Sequence, residues 1–310
     1  MVIFIERNET DPYFNIAAEE FVLKNFSEEV VMLWRSQPSV IIGKHQNPIK
    51  EVNFPYASAN KIPLIRRISG GGTVFHDLGN INFSKITFSN DKNGMINFKK
   101  FLQPLIEYLQ IFGVKADREE KNNLLVKGKK ISGNSGHIFK NKVIHHGTVL
   151  FNSDIKVLEE VLSPEKFSVT DKAVASVGKP VVNLSEFMPN MSTEKFFSAF
   201  KNFLKDYFSV KKSIVFTDLM KAEIYRLAGE KYQKDTWTFG YSPAFEFKNK
   251  TEKGIIHLKV LKGLMNKVKI QGAMEDYEKL FINKLYCPAT VMKISKEKDF
   301  TALMKLFGFL

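Results

Sequence analysis

The stretch RRISGGGTVFHD at 66–77 sets three consecutive glycines beside two arginines, in the middle of apolar sequence. Consecutive glycines are poor in helix and strand alike, so they mark a loop. The flanking IPLIRRIS and TVFHD read as strands. A strand on both sides excludes the strand-to-helix turn that a dinucleotide fingerprint requires, and no lysine follows the glycines as a Walker A loop requires. Two readings remain. One is a strand-to-strand loop whose amides approach a phosphate or carboxylate closely. The other is a tight glycine hairpin with surface arginines. Strand residues alternate, so Arg66 and Arg67 point to opposite faces. Only one of them can meet a ligand; the other faces protein or solvent.

Two further stretches have a similar character. KGKKISGNSGHI at 127–138 again joins small residues to lysines. Lys129 and Lys130 alternate, so one faces inward, where a compact ammonium suits an anionic substrate. The other reading is an exposed basic hairpin. In HHGTVLFN at 145–152, His145 and His146 lie on opposite faces of a strand and cannot share one metal ion. At most one of them lines a pocket.

Between these stretches the elements alternate without a βαβ rhythm. DPYFNIAAEEFVLKNF reads as a helix, with Asp11 as N-cap, Pro12 in the first turn and Phe14, Ala17, Ala18, Phe21 and Val22 on one face. VVMLWR (30–35) and SVIIGK (39–44) read as strands joined by a turn at Ser36-Gln37-Pro38. Asn47-Pro48 starts a short helix, and INFSKITF (81–88) is another strand. A helix is expected over 98–113, with Pro104 as a kink or first-turn residue and Gly113 as its stop. Hairpins turn at Lys127-Gly128 and at Lys140-Asn141-Lys142. A helix at 154–162, a polar loop at 163–184, and helices at 193–208 and near 217–230 follow. The fold class is α+β, with antiparallel or mixed sheets and helices between strands. After DTWTFGYSPAFEFKNK the pattern changes to a hairpin and two helices. The chain divides into a catalytic unit over 1–248 and a small α+β accessory unit over 249–310, too small to be more than marginal alone.

Composition narrows the classes. The single cysteine, Cys287, excludes a disulfide framework and reads as a small buried hydrophobe. No apolar run approaches the roughly 20 residues of a membrane helix. The N-terminus has the marks of neither a signal nor a transit peptide, so a cytoplasmic protein is expected. The net charge of +13 invites a nucleic-acid reading. The lysines are dispersed and no nucleic-acid motif accompanies them; Lys, Asn, Ile and Phe are abundant together, as AT-rich coding produces. An acidic protein partner is the other reading of the charge.

Taken in order, DPYFNIAAEE, LWRSQPSVIIGKHQNP, RRISGGGTVFHDLGNINF, GKKISGNSGHI, HHGTVLFNSDI and WTFGYSPAF resemble the lipoate–protein ligases over nearly the whole chain. The resemblance implies the catalytic fold shared with biotin ligases and octanoyltransferases, plus a small C-terminal domain. It implies two steps. Lipoate and ATP, with Mg²⁺, give lipoyl-AMP and pyrophosphate; the lipoyl group then passes to a lysine of a lipoyl domain or of glycine cleavage H protein. It implies a monomer with no nucleic-acid partner. Lys130 would bridge the acyl carbonyl and the α-phosphate. Arg67, Ser69, Gly72, Thr73, Val74 and Phe75 would hold the adenylate and the lipoyl tail. Trp34, His76, Asn80, His146 and Thr148 would form pocket walls, and Gly71, Asn123 and Ser135 complete the binding set. Mg²⁺ would be held chiefly by phosphate oxygens, with no protein ligand assigned.

The chain departs from the family at Asn122-Asn123, where Asn-Asp is usual, and at His137, where a basic or polar residue is common. The missing negative charge at Asn123 keeps open an alternative: a lipoyltransferase that uses preformed lipoyl-AMP. A thioester-exchanging transferase needs a cysteine in the large domain, and none is there. Biotin ligases pattern their glycine-arginine loop differently. An inactive basic binding module is opposed by the presence of Lys130 and Arg67.

Overall fold

The computed structural model describes residues 1–88, 96–119 and 122–310. The chain begins with β1 (Val2–Glu6), α1 (Pro12–Asn25), β2 (Glu29–Trp34) and β3 (Ser39–Ile42). A short 3-10 turn (Pro48–Lys50) and α2 (Phe54–Ala59) lead to β4 (Leu64–Arg66). After the glycines come β5 (Val74–His76) and β6 (Asn80–Phe88). Next are α3 (Phe98–Ile111), β7 (Asp117–Arg118), β8 (Asn123–Val126), β9 (Lys129–Phe139) and β10 (Lys142–Leu150). Then follow α4 (Ile155–Val161), β11 (Ser168–Asp171), α5 (Thr193–Tyr207), β12 (Lys212–Val215) and α6 (Asp218–Leu227). The last stretch holds α7 (Asp235–Thr238), β13 (Phe245–Thr251), β14 (Gly254–Leu261) and β15 (Leu264–Gly272). Three short helices close it: α8 (Glu278–Phe281), α9 (Pro288–Ile294) and α10 (Phe300–Leu306).

Eight strands form the main sheet in the order β12-β1-β2-β6-β10-β9-β8-β7. β12, β1 and β2 run parallel, and the remaining pairings are antiparallel. β2 shows why its sequence is a continuous apolar run. Val31 and Leu33 pack on one face with Phe83, Phe101, Leu105 and Phe200, under α3 and α5. Val30, Met32 and Trp34 pack on the other with Phe14, Ala17 and Val22 of α1 and Ile224 of α6. A strand covered on both faces has no polar side to show.

The helix caps follow the sequence. Asp11 accepts the Phe14 N–H at 2.7 Å and Asn97 accepts the Lys100 N–H at 2.9 Å. Because α3 starts at Phe98, Pro104 lies inside the helix, not in its first turn. An interior proline costs about 3 kcal/mol. Phe101, Leu102, Leu105 and Leu109 are buried on the sheet, at about 1.5–3 kcal/mol each, which outweighs that cost.

The glycine loop is not a hairpin turn. β4 and β5 both pair with β3, in the order β4-β3-β5, so the glycines cross over the end of β3. β2 and β3, adjacent in sequence, belong to different sheets. The third sheet, β11-β13-β14-β15, is antiparallel. β13 adds a third strand to the expected C-terminal hairpin, and its edge partner β11 comes from the segment read as a polar loop. Phe245, Phe247, Ile256, Leu258 and Phe307 of this last part share one core with Val40, Ile42 and Phe75 of the three-stranded sheet. Among the described residues no helix is long and apolar enough to cross a membrane.

Candidate active site

A cavity of about 420 Å³ lies on the α1 side of the main sheet, roofed by the glycine loop and by residues 175–179. Its floor is a transverse row across five strands. Trp34 pairs with Asn82, and Asn82 with Thr148. The Thr148 hydroxyl meets the Gly133 N–H at 3.3 Å, and Gly133 pairs with Asn123. At about 4.8 Å per strand, this row runs roughly 19 Å. All five residues line the cavity.

One end is aromatic and neutral. Trp34 meets His76 edge-on, with ring centroids 5.6 Å apart. Burial pushes His76 down to about 3, so the ring is neutral at ordinary pH. The Arg7 guanidinium stacks behind Trp34, 5.1 Å from the ring centroid.

The other end is cationic, and a β-bulge aims its lysine. Leu125 of β8 opposes Lys130, while Leu124 opposes Ser132, so Ile131 is an extra residue on β9. In a regular strand, Lys130 and Gly133 would face opposite sides; the inserted residue brings both into the cavity. A Cβ built on Gly133 would stand 2.9 Å from Lys130 Nζ. The Lys130 ammonium makes no hydrogen bond or ion pair among the described residues. Burial, then Arg67, lowers its pKa, with Glu119 opposing.

Arg67 is placed differently. Its Nε donates to Ser69 Oγ (3.0 Å) and its Nη1 to Ile41 O (3.0 Å). Its Nη2 donates to Gly70 O (2.5 Å) and Gly72 O (2.7 Å). Ser135 Oγ adds a second donor to Gly70 O at 2.8 Å. The loop's carbonyls are thereby turned inward. The N–H groups of Gly70, Gly71 and Gly72 make no hydrogen bond among the described residues. Gly71 has φ +83°, and the loop packs so closely on Gly43 that a Cβ there would meet Gly71 O at 2.0 Å. Burial pushes Arg67 down to about 10, with Glu19 opposing.

Arg66 faces the protein, as alternation requires. It donates to the carbonyls of Gly43, Lys44, Gln46 and Thr238 and to Ser242 Oγ. Trp237 Nε1 closes the contact on Arg66 O at 2.8 Å.

The histidine pair also divides. His146 lines the cavity, with Nδ1 2.7 Å from Glu19 and Nε2 2.6 Å from Ser69 Oγ. His145 accepts the Asn97 N–H at 2.9 Å and stacks on Phe101 on the opposite face. Burial alone would raise Glu19; the electrostatic contact and hydrogen bond with His146, the Ser84 hydroxyl and Arg7 hold it below the usual carboxylate range.

Lys130, Trp34, Arg67, Gly71, Gly72, Thr73, Val74, His76, Asn123, Ser135, His146 and Thr148 all line the cavity. Three other residues expected there do not. Phe75 alternates away from Val74 and His76 into the core beside Val40 and Ile42. Ser69 sits behind Arg67, and Asn80 is buried with its Nδ2 on Asn82 Oδ1 at 3.0 Å. Cys287 is buried in the C-terminal core, its thiol pushed up to about 11 by burial.

Sequence reasoning missed Glu19, Asn82, Asn134, Ser176 and Lys179. Lys179 carried a usable signal: it follows Val177-Gly178, repeating the small-residue-plus-lysine pattern of 127–138. A carboxylate four residues upstream reaches Asn123. Glu119 accepts from Asn123 Nδ2 at 2.7 Å and pairs with Lys179. Among the described residues, no group of three or more histidines, cysteines or carboxylates is placed to hold a metal.

Residues 11–205 match the family model described as the lipoyl protein ligase A/B catalytic domain. Lipoate–protein ligase 1 of Staphylococcus aureus is 39% identical over 279 residues, covering 87% of this chain and 84% of its own. Lipoate–protein ligase LplJ of Bacillus subtilis is 36% identical over 304 residues, covering 92% and 91%. P. falciparum LipL1, solved in complex with lipoate, superposes over 98% of both chains with a TM-score of 0.66; at 22% identity it speaks for the fold alone. By sequence and by fold, the chain belongs to the lipoate–protein ligase family.

Proposed function

We propose that this protein is a lipoate–protein ligase that activates lipoate with ATP and transfers the lipoyl group to an acceptor lysine. The observation that carries the reading is the polarity of the cavity. At one end stand the Arg67 charge and, without partners among the described residues, the glycine amides and the Lys130 ammonium; at the other stands an uncharged aromatic wall. A carboxylate and a triphosphate repel one another. Lys130, as a point charge with three donors, can meet an oxygen of each, while the amides and Arg67 offset the charge that builds as the carboxylate attacks the α-phosphate. From β9 to β6 the floor spans two strand spacings, about 10 Å, which suits an extended medium-length acyl chain. The tail would lie over Thr148 and Asn82 towards Trp34 and His76.

In the second step the acceptor amine attacks the acyl carbonyl and AMP leaves. A Mg²⁺ ion would be carried chiefly by ATP oxygens, and the chemistry it supplies when bound is neutralisation of phosphate charge. Glu119 beside Asn123 supports complete ligase activity over transfer of a preformed adenylate. The same reading takes the acceptors to be lipoyl domains of 2-oxoacid dehydrogenase E2 subunits and glycine cleavage H protein. It takes the enzyme to be a cytoplasmic monomer with a catalytic unit over 1–248 and an accessory unit over 249–310.

The test is pyrophosphate release from ATP, with and without lipoate, before any acceptor is added. Lipoate-dependent release is expected. No release, combined with acceptor lipoylation from supplied lipoyl-AMP, would replace the ligase reading with the transferase one.

A further inference from the structure

Two segments roof the cavity, and their contacts converge on a carboxylate that belongs to neither. Glu51 follows the turn Pro48–Lys50 and is 6% exposed. Its Oε1 accepts the Ser176 N–H at 3.1 Å. Its Oε2 accepts the Ser176 hydroxyl and stands 3.3 Å from the Thr73 hydroxyl. Ser176 Oγ in turn accepts from Thr73 N at 2.9 Å and from Gln46 Nε2 at 3.0 Å. One hydroxyl, with its donor and both acceptor sites used, therefore ties the glycine loop to residues 172–180, and Glu51 orients it.

The remaining attachments of that segment are also polar. Lys50 and Asn47 hold Asp171 at 3.0 and 3.1 Å, and Val174 N donates to His45 O at 3.2 Å. At the far end, Lys130 N donates to Pro180 O at 2.8 Å and Val182 N to Lys130 O at 3.1 Å. Between these anchors, Val174 and Val177 are 50% and 59% exposed. A strap held by polar contacts and without a buried apolar anchor opens at low free energy. It also spans the cavity from the glycine loop to the residue that carries Lys130.

We propose that Glu51 is a positioning residue for the two-step reaction, the latch that keeps this strap closed over the acyl-adenylate until the acceptor arrives. The inference rests on the ligase reading. An acyl-adenylate is a mixed anhydride. If water attacks its carbonyl, the products are free lipoate and AMP, so ATP is consumed with no acyl group transferred. Closure between the steps suppresses that loss. Glu51 suits the task because its two carboxylate oxygens accept, one from the Ser176 N–H and the other from the Ser176 hydroxyl. Glu51→Gln keeps the shape but turns an amide N–H₂ towards one of those donors.

The experiment measures pyrophosphate released per acceptor lysine lipoylated, using the full-length enzyme with ATP, Mg²⁺, lipoate and an apo lipoyl domain. The wild-type ratio is expected near unity. Glu51→Ala is expected to raise it several-fold, with Glu51→Gln intermediate. Unchanged ratios in both variants would overturn the proposal. A second readout needs no catalysis: trypsin cleavage after Lys172 in the substrate-free protein. Faster cleavage in Glu51→Ala than in wild type supports the latch, and equal rates overturn it. If wild-type protein releases no pyrophosphate with lipoate, the ligase reading fails, and the trypsin comparison still decides the latch.

Discussion

Lys130 and Arg67 bring the same charge to the same cavity, yet the fold uses them differently. Arg67 commits its donors to Ser69, Ile41, Gly70 and Gly72, so it shapes the loop and supplies a fixed field. The Lys130 ammonium commits none among the described residues, which leaves it for substrate. Its freedom depends on a residue with no side chain, because a Cβ on Gly133 would stand 2.9 Å from Nζ. Gly133→Ala is therefore expected to leave the fold intact, since the atom in the way is the end of a flexible chain. It should lower kcat/KM for lipoate-dependent pyrophosphate release by about 10²-fold, the scale of a 1 Å misplacement. Activity within twofold of wild type at an unchanged Tm would remove the role assigned to this spacing. Strand alternation made the Arg66–Arg67 and His145–His146 divisions legible in the sequence. Glu19 was not legible. On α1 it sits directly after Ala18 of the apolar face, and only the fold brings it to His146.

At the scale of elements, most strands and helices could be read because their periodicity and caps agree. The misreadings have physical reasons. The β9 bulge leaves no trace in composition, because Ile131 is as apolar as any strand residue. β11 is a short edge strand, paired with β13 alone, in a polar stretch. β13 turns to Lys-Asn-Lys after Phe245 and Phe247, which hides its alternation. Arg66 joins distant elements. It binds the turn after β3 to α7 and Ser242, at the junction with the last sheet. Burial, then Arg67, pushes it down to about 9, and among the described residues it faces carbonyls with no carboxylate partner. Arg66→Met would leave the oxygens of Gly43, Lys44, Gln46 and Thr238 without that donor. At about 1–3 kcal/mol for each unsatisfied buried acceptor, a loss of at least about 3 kcal/mol is expected. Urea unfolding followed by tryptophan emission measures it, since Trp237 donates to Arg66 O. A midpoint equal to wild type would show that the arginine is dispensable as a fastener.

For the whole molecule, the sequence gives the net charge of +13 but not which charges the fold buries. Among the described residues, His76, His137 and His145 stand in environments that disfavour the cation. Burial pushes His76 down to about 3 and His145 to about 4. In the unfolded chain both titrate near the ordinary value of about 6.5. Between roughly pH 6.5 and 4 the unfolded state therefore binds a proton at each of these two sites that the native state does not. The stability these neutral histidines contribute is complete above the unfolded value and is lost as pH falls, by about 1.4 kcal/mol per pH unit for each histidine. Below about pH 4.3, Glu19 adds in the same direction, because its native pKa is lowered and its protonation removes the pairing with His146. His145 separates the effect from catalysis, since it lies on the sheet face opposite the cavity and accepts the Asn97 N–H at the start of α3. His145→Gln can still accept that N–H but cannot titrate. Its unfolding free energy, measured by urea from pH 7 to pH 4.5, should fall less steeply than wild type by about one proton's worth of slope. Parallel slopes would mean that His145 charges in the native state and that acid sensitivity arises elsewhere.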